Sequence, residues 1–436
     1  MRWLMRMSVR QWRDLLHWLY TASMTLGSLQ ASRISAEVHR YSVLAWVFGA
    51  LLATPLEAAA FAVLLPVSLL RYRNWAQRVQ SDHGIRFLLF WYLLLVLWGC
   101  LSQFWAPDGV TGKLYLRSMI VPILVVHSGV RIRELLVVAA VPGLIWAVMF
   151  AVLECGVSLP QDLVPNHVSK TSLGLLLLAC ASLVGLILSP TRLDLAASTG
   201  AALSWVIGSA CARSRTDVFA VLAITPVIVA VARVSRGLAL RAVVLGFLVI
   251  GALVVVFKMS PVGEKMSFSL HRELVTQASK PWGDKLDGIL STRLGLWEWT
   301  LASCRHEFIG HGALSWPHEF QSAMGNGPLN LHFVTVVSAE LKSMTFAHNL
   351  PLQLLYEQGL IGIVLALACG ASILSCIWSI RTRPSGLFAL MVFLTGLFVM
   401  MGGGVFFSRY TATWLAVLLI ACSSRASASP LCLRSA

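Results

Sequence analysis

The stretch Ser343-Met-Thr-Phe-Ala-His-Asn-Leu-Pro-Leu-Gln-Leu-Leu-Tyr-Glu-Gln-Gly-Leu-Ile361 joins the longest polar segment of the chain to a long apolar run. Asn349 can cap a helix by accepting a hydrogen bond from a free backbone N–H, and Pro351 fits the first helical turn. The sequence therefore predicts that a membrane-spanning helix begins here, directly after His348. The apolar run continues to Ile380, which is long enough for this helix to tilt or bend.

His348 is a candidate general base at the edge of the bilayer. The positive end of a helix dipole favours a neutral imidazole, which can accept a proton, and it also favours a bound anion. A base and an anion site at one membrane boundary indicate chemistry on a lipid-linked, negatively charged substrate. The alternative interpretation is a polar cap on a spanning helix, with a histidine that is merely solvated.

The composition of the whole chain is that of a polytopic membrane protein. Of the 436 residues, 57% are hydrophobic and only 12% are charged. The net charge of +15 is distributed over short loops, so it does not indicate nucleic-acid binding. The nine cysteines show no CxxC or zinc-type spacing, so neither a disulfide framework nor a metal cluster is expected.

Apolar runs close to the length that crosses a bilayer recur along the chain, and they predict an all-α polytopic membrane protein with about twelve transmembrane helices. Segment 41–70 is counted as two short spans because Pro55 and Glu57 interrupt it, and one long kinked helix is the alternative. The other predicted spans are 85–104, 114–129, 135–157, 171–188, 193–212, 218–234, 238–257, 350–380, 385–401 and 407–421. The predicted organisation is an interfacial or cytoplasmic segment 1–40, spans in 41–258, a loop domain 259–348, spans in 349–422 and a tail 423–436.

Arginines occupy alternate loops of this scheme, as the positive-inside rule predicts for cytoplasmic loops. With the N-terminus inside, the basic loops at 71–86, 131–133, 233–241 and 381–383 all fall on the inner face. Both termini are then cytoplasmic and segment 259–348 faces outward. In that segment, residues 287–304 place apolar side chains at helical spacing, including Leu294, Trp297 and Leu301, which predicts an amphipathic helix. A polar segment of this length is expected to fold as a helical cap over the spans.

Three of the arginines on the predicted outer side are candidate site residues, and the positive-inside rule disfavours arginines in short outer loops. Arg213 and Arg215 share a short loop. A bound diphosphate would offset the energetic cost of placing two arginines on the outer side, because guanidinium groups match the geometry of phosphate oxygens. Snorkelling, or a salt bridge to Asp217, is the alternative. Arg293 lies on the predicted amphipathic helix, where it either faces the membrane-side groove or is a solvated helix arginine.

Two further features of the outer side carry candidate residues. Ile309-Gly-His-Gly312 predicts a tight turn, which is either a plain turn or a close approach of backbone to a ligand. Glu357 lies within the last long span, and an acidic residue there is a functional candidate that faces a wet cavity or another polar side chain. The outward histidines, His311 among them, lack the spacing of a zinc site, so no metal is expected.

Three segments, in this order, resemble the O-antigen ligase family. They are Ser214-Arg215 at the start of a span, Arg293-Leu-Gly-Leu-Trp297 followed by Ile309-Gly-His-Gly312, and His348-Asn-Leu-Pro-Leu-Gln-Leu-Leu-Tyr-Glu-Gln-Gly-Leu-Ile-Gly362. The resemblance covers roughly residues 193–407, and the N-terminal third is similar only in its pattern of spans. The loop after Trp297 departs from the commonest family pattern, and Arg213 adds a charge beside Arg215.

The resemblance implies a GT-C-type glycosyltransferase of the Gram-negative inner membrane with a helical periplasmic cap. Such a ligase moves O-antigen from undecaprenyl diphosphate to the lipid A-core oligosaccharide on the periplasmic side, with inversion and without a metal or other cofactor. The implied partners are this lipid-linked donor, the lipid A-core acceptor and the bilayer, with no nucleic acid.

The resemblance also implies roles for individual residues. His348 would be the general base, Arg215 and Arg293 would bind the diphosphate, and Arg213, His311, Asn349 and Glu357 are supporting candidates. O-antigen polymerases and protein O-oligosaccharyltransferases carry similar motifs and are the alternatives within the superfamily. A membrane transporter, which commonly has this number of spans, is the alternative from another class.

Overall fold

The computed structural model of the protein describes residues 29–52, 54–106, 115–154, 168–188, 192–211, 293–304, 308–325, 347, 349–381, 383–403 and 409–423. Nearly all of these residues are helical, and none of them lies in a strand. The helices are α1 Leu29–Leu52, α2 Thr54–Leu70, α3 Tyr72–Ser81, α4 His83–Ser102, α5 Tyr115–Val125, α6 Ile132–Glu154, α7 Val168–Leu188, α8 Arg192–Cys211, α9 Arg293–Ser303, α10 Ser315–Gly325, α11 Leu350–Ser379, α12 Pro384–Gly403 and α13 Arg409–Ser423.

The described helices follow the predicted spans closely. Segment 41–70 is divided between α1 and α2, next to Pro55 and Glu57, as the sequence predicts. Helix α1 begins at Leu29, so the end of the predicted interfacial segment 1–40 is continuous with the first span. The predicted spans 218–234 and 238–257 lie outside the described residues.

Within the described part of the chain, three helices are long and apolar enough to cross a membrane: His83–Trp105, Ile132–Leu153 and Leu350–Ser379. Pro55–Leu70 and Trp75–Ser81 make a fourth candidate if this pair, bent by 73°, is one span. Four shorter apolar helices accompany them, at Leu173–Gly185, Ala196–Ile207, Ser385–Leu397 and Thr411–Ser423. The described part of the chain is therefore helical, with three or four helices long and apolar enough to span a membrane, whereas the number of about twelve spans and the GT-C fold stay predictions.

Helices α4 and α11 pack antiparallel and define two ends of the molecule. At one end a Cβ on Gly84 would lie 3.2 Å from the Cys376 sulfur. At the other end the Ser102 hydroxyl accepts a hydrogen bond from the Ala313 N–H at 3.1 Å. Helix α4 has 20 residues, so the two ends are separated by about 30 Å of helix, the thickness of a bilayer core.

Several of the segments predicted to be cytoplasmic meet at the first of these ends, and the basic loop at 233–241 lies outside the described residues. The Arg78 guanidinium donates to the His127 carbonyl at 3.3 Å, and the His127 N–H donates to the Ser423 hydroxyl at 3.2 Å. Arg40 and Glu134 form an ion pair at 3.3 Å. Sequence segments far apart in the chain therefore share one end, and which side of the membrane it faces stays a prediction.

Two hydrophobic cores hold the described helices together. The large core runs through the spans and contains fully buried side chains such as Trp46, Trp205 and Phe388. Lipid tails are as apolar as these residues, so tight packing rather than release of water holds spanning helices together. The second core joins α9 and α10 to the start of α11, and its buried members are Leu296, Trp316, Phe320, Met324, Ala347 and Tyr356.

Helix α9 confirms a helix in the predicted amphipathic stretch but corrects the face that is buried. Leu301, which the sequence places on the apolar face, is 50% exposed. The buried positions are Leu296 and Thr300, and Arg293 precedes them at helical spacing on the same face. This face is selected by the second core, because the Trp316 indole donates to the Thr300 hydroxyl at 2.9 Å.

Candidate active site

The start of α11 forms the cap that the sequence predicts. Asn349 has extended backbone angles (φ −155°, ψ 108°), and its side-chain oxygen accepts a hydrogen bond from the Leu352 N–H at 3.2 Å. Its backbone carbonyl accepts from the Gln353 N–H at 2.9 Å, and Pro351 lies in the first turn. The predicted joint between the loop domain and the long span is thereby confirmed as a capped helix N-terminus.

Replacing Asn349 by Ala should loosen this joint by about 1 kcal/mol, because the Leu352 N–H loses its acceptor. In hydrogen–deuterium exchange, the amides of the first turn of α11 should then exchange about fivefold faster than in the wild type. Asn349→Ser keeps a capping oxygen and should exchange as the wild type does. Equal exchange in the Ala and Ser variants would contradict the cap.

Helix α11 is interrupted at Gly359, where the residues of the predicted tight turn pack against it. Gly359 has φ 67° and ψ −165°, a backbone region that essentially only glycine adopts. The carbonyls before the break lose their helical partners, and the turn replaces them. The His311 and Gly312 N–H groups donate to the Tyr356 and Glu357 carbonyls at 2.8 and 2.9 Å. The turn is thus docked on the broken helix by backbone hydrogen bonds.

Two indoles and a second glycine complete this contact. The Trp98 indole donates to the Gln358 carbonyl at 3.0 Å, and the Trp105 indole donates to the Gly310 carbonyl at 3.1 Å. Gly310 has φ 72°, and a Cβ there would lie 2.5 Å from the Gly359 backbone nitrogen. The close approach predicted for this glycine turn is therefore an approach to the break in α11, which requires glycine on both sides.

Glu357 fastens α10 to α11. Its side chain is only 2% exposed, and its carboxylate accepts hydrogen bonds from the Leu314 and Trp316 N–H groups and from the Gln353 side-chain amide. A carboxylate at a helix N-terminus satisfies free N–H groups and is favoured by the helix dipole. The Gln353 side-chain oxygen in turn accepts from the Ala347 N–H at 2.7 Å. The sequence left open whether Glu357 faces a wet cavity or another polar side chain, and these contacts match the second interpretation.

His311 is held between an acid and an aromatic ring. Its ring stacks on that of Tyr356, with centroids 4.3 Å apart and planes 8° from parallel. Its Nδ1 lies 3.1 Å from a carboxylate oxygen of Glu319, and the same oxygen accepts from the Tyr356 hydroxyl. These contacts make His311 a positioning residue that links the turn, α10 and α11.

Arg293 brings a positive charge to the same junction. It opens α9, its side chain is half-buried, and no described residue forms a hydrogen bond or ion pair with its guanidinium. Burial lowers the pKa of Arg293 from its ordinary value, although a guanidinium stays charged in proteins. One turn further, the Trp297 indole donates to the Ala347 carbonyl at 3.1 Å. The first turn of α9, which Arg293 opens, is therefore held beside the segment that leads into α11.

The predicted site residues divide into two groups. Arg293, His311, Asn349 and Glu357 all belong to the junction of α9, α10, the glycine turn and the start of α11. Arg213, Arg215 and His348 lie outside the described residues. Within the described part of the chain, no group of three or more His, Cys, Asp or Glu side chains is arranged to hold a metal ion.

Sequence reasoning missed several residues that build the junction. Gln353 and Tyr356 follow Asn349 at helical spacing, so a polar stripe on one face of an otherwise apolar helix could have revealed them. Trp297 lies in the same sequence segment as the candidate Arg293, but the sequence does not predict that its indole donates a hydrogen bond to the Ala347 carbonyl. Glu319 had no motif around it, and only the folded structure brings it to His311.

No protein-family model matches the chain, and no curated protein matches it at a significant level. The resemblance to O-antigen ligases therefore rests on the three sequence segments alone.

Proposed function

We propose that the protein is a membrane glycosyltransferase that moves a glycan from a lipid diphosphate to an acceptor hydroxyl. Its most specific form is the O-antigen ligase reaction, from undecaprenyl diphosphate to the lipid A-core oligosaccharide. One observation carries the proposal. Arg293 is half-buried and has no described acid partner. It opens α9, and the Trp297–Ala347 hydrogen bond holds this helix beside the chain that enters the predicted catalytic segment, at the start of the long apolar helix α11.

The proposed chemistry needs one base and a site for the leaving diphosphate. The acceptor hydroxyl oxygen attacks the anomeric carbon, and the bond from that carbon to the diphosphate oxygen breaks. The electron pair stays on the departing diphosphate, and the hydroxyl proton passes to His348. Arg215 and Arg293 stabilise the charge that develops on the leaving group, assisted by Arg213. Attack opposite the leaving group inverts the anomeric centre.

The junction supplies the fixed frame for this chemistry. Asn349 caps the helix directly after the proposed base, Glu357 fastens α10, and His311 links the glycine turn to Tyr356. Catalytic groups work best when surrounding contacts hold them in place. A site at the start of α11 also suits this donor, because the lipid tail can stay in the bilayer while the glycan lies on the periplasmic side of the inner membrane.

Transport is the rival with a specific observation behind it, because broken spanning helices are typical of carriers. In carriers, however, unwound backbone carbonyls coordinate the transported ion near the midplane. Here the carbonyls of Tyr356, Glu357 and Gln358 accept hydrogen bonds from the glycine turn and from Trp98. The break lies in the first third of α11, beside the last turns of α4. The break therefore favours a rigid junction over an ion site.

The direct test is reconstitution with purified protein, undecaprenyl-diphosphate-linked O-antigen and lipid A-core acceptor in the presence of EDTA. A ladder of glycosylated lipid A-core is the expected product. Lengthened donor glycan instead would assign the polymerase reaction, and glycan on Ser or Thr of an added acceptor protein would assign the oligosaccharyltransferase reaction. Absence of all three products from folded protein would overturn the proposal.

In this assay, Arg293→Gln should reduce transfer roughly tenfold to hundredfold, because a charge-assisted hydrogen bond to phosphate is lost. Arg293→Lys keeps the charge but not the planar fork and should be intermediate. Arg133→Gln, which removes an exposed arginine in the Arg131–Glu134 segment at the other end of the molecule, is the matched control and should transfer at the wild-type rate. Equal rates for the Arg293 and Arg133 variants would remove Arg293 from the site.

A further inference from the structure

A second candidate site lies at the opposite end of α4, about one helix length from the junction around α11. It is a cavity of about 140 Å³ between α1, α2, α3 and the end of α5. Its polar lining consists of His39, Ser68, Arg71, Arg78 and His127, and we call it the arginine cavity. Among the described residues that line it are Arg71 and Arg78, and none of these described residues carries a carboxylate.

Arg71 is buried in the wall of this cavity without a compensating acid. It is 9% exposed, its Nε has no hydrogen-bond partner, and no described carboxylate pairs with it. Burial lowers the pKa of Arg71, and the positive charge of Arg78 lowers it further. A buried charge without a partner is costly, and a bound anion offsets that cost.

A directed chain of hydrogen bonds holds Arg71 in place. The Arg71 guanidinium donates to His39 Nδ1 at 3.1 Å, so this ring nitrogen is an acceptor and carries no proton. The proton is then on His39 Nε2, which lies 3.1 Å from the Ser68 hydroxyl and 3.2 Å from the Leu124 carbonyl. The Ser68 hydroxyl donates onward to the Leu64 carbonyl at 2.7 Å. These hydrogen bonds fix the position of Arg71, which is one of the residues that line the cavity.

His39 orients the arginine rather than adding a third charge. It precedes the predicted start of the first span, and burial together with Arg71 and Arg78 lowers the pKa of His39 to about 4. The ring is therefore neutral near pH 7, which agrees with the acceptor role of Nδ1. Arg78 is fixed separately, because its guanidinium donates to the His127 carbonyl at 3.3 Å.

The location and the remaining walls indicate the kind of anion. Apolar and aromatic side chains make up most of the lining, including Leu69, Tyr72 and Trp75. The chain bends by 73° between the helix before Arg71 and the helix after it. The helix after the bend carries Tyr72, which is exposed, Trp75 and Arg78, and aromatic and basic residues of this kind are enriched beside lipid headgroups. The volume matches cavities that hold a molecule the size of benzene, so it accommodates a phosphate and its ester carbons.

We propose that the arginine cavity binds a phosphate ester anion, with the headgroup of an acidic phospholipid as its source. The phosphate would accept hydrogen bonds from Arg71 and Arg78, and the apolar walls would contact the glycerol and the first acyl carbons. This site is separate from the proposed transfer site, since the two lie at opposite ends of α4 and α11.

The test uses full-length protein in a zwitterionic detergent, with native mass spectrometry and thermal shift as readouts. The probes are phosphatidylglycerol, phosphatidylcholine and inorganic phosphate. Phosphatidylglycerol should be retained and should raise the unfolding midpoint, and Arg71→Gln should weaken its binding about tenfold to hundredfold. Arg86→Gln removes an exposed arginine at the same end, one that pairs with His83, and should bind as the wild type does.

The variants and probes separate the remaining outcomes. The Gln side chain in Arg71→Gln can still donate a hydrogen bond to His39. If Arg71→Gln nevertheless unfolds, Arg78→Gln tests the site independently and should also weaken phosphatidylglycerol binding. A shift with inorganic phosphate as large as that with phosphatidylglycerol, lost in Arg71→Gln, would support the anion site and assign it to free phosphate. Equal binding by the Arg71, Arg78 and Arg86 variants, or equal retention of phosphatidylcholine, would overturn the proposal. None of these readouts measures glycan transfer, so the outcome is independent of the proposed function.

Discussion

Replacing His348 by Gln should lower the rate of glycan transfer about 10²–10⁴-fold, the usual contribution of a general base. Glutamine keeps a polar side chain of similar size but cannot accept the acceptor's proton. Binding of the lipid-linked donor should be unchanged, because the diphosphate is assigned to Arg215 and Arg293. The measurement is single-turnover transfer at saturating donor, with donor affinity measured separately by native mass spectrometry.

His318→Gln is the matched control for this variant. His318 is an exposed histidine on α10, in the same predicted loop domain as His348, and its loss should leave the rate unchanged. His348→Ala provides a second readout, since added imidazole can enter the space of the missing ring and should restore part of the rate. A structural histidine would not respond in this way. Undiminished transfer by His348→Gln would exclude the residue as the base.

The parts of this site that were predictable are those encoded locally. Asn349 and Pro351 predict a helix start because capping depends on neighbours within one turn, and the structure confirms it. The interruption near Pro55 and Glu57 is predictable for the same reason. The length of the apolar run after Leu350 predicts a tilt or bend, which takes the form of a break at Gly359.

The contacts between distant segments were not predictable from the chain alone. The glycine turn meets α11 nearly 50 residues further along the chain, and no local signal pairs Gly310 with Gly359. Glu357 was singled out as an acid inside a span, but its partners, the Leu314 and Trp316 N–H groups, become available only once α10 docks. The buried face of α9 was misassigned because aromatic packing in the second core, rather than periodicity alone, selects it.

The candidate site is therefore known at two levels. Its frame comes from the structure, which brings Arg293, His311, Asn349 and Glu357 to one junction. Its chemistry comes from sequence segments that contain Arg215 and His348, whose assignment stays a prediction. In the described frame, the glycine turn docks on the break in α11 and the second core joins α9 to the start of the same helix, so the start of α11 is held relative to α9.

The break itself provides the second large effect. Gly359→Ala should destabilise the junction by several kcal/mol, from about 1–3 kcal/mol of backbone strain and a similar steric cost. A Cβ at Gly359 would lie 2.2 Å from the Phe308 carbonyl oxygen and 2.6 Å from the Gly310 nitrogen, and neither backbone atom can move without breaking the docked turn. The unfolding midpoint in detergent should fall, and the amides of residues 308–313 should exchange much faster.

Gly370→Ala is the matched control, because Gly370 lies in the same helix and a Cβ there meets nothing within 4 Å. This change should be neutral or should stabilise the helix by up to about 1 kcal/mol. The comparison also tests the proposed function, since transfer should be lost in Gly359→Ala and retained in Gly370→Ala although both add one methyl group. If Gly359→Ala matched Gly370→Ala in unfolding midpoint and amide exchange, the contact between the glycine turn and Gly359 would not stabilise the junction. If it lost stability yet kept full transfer, the junction would not be the frame of the active site.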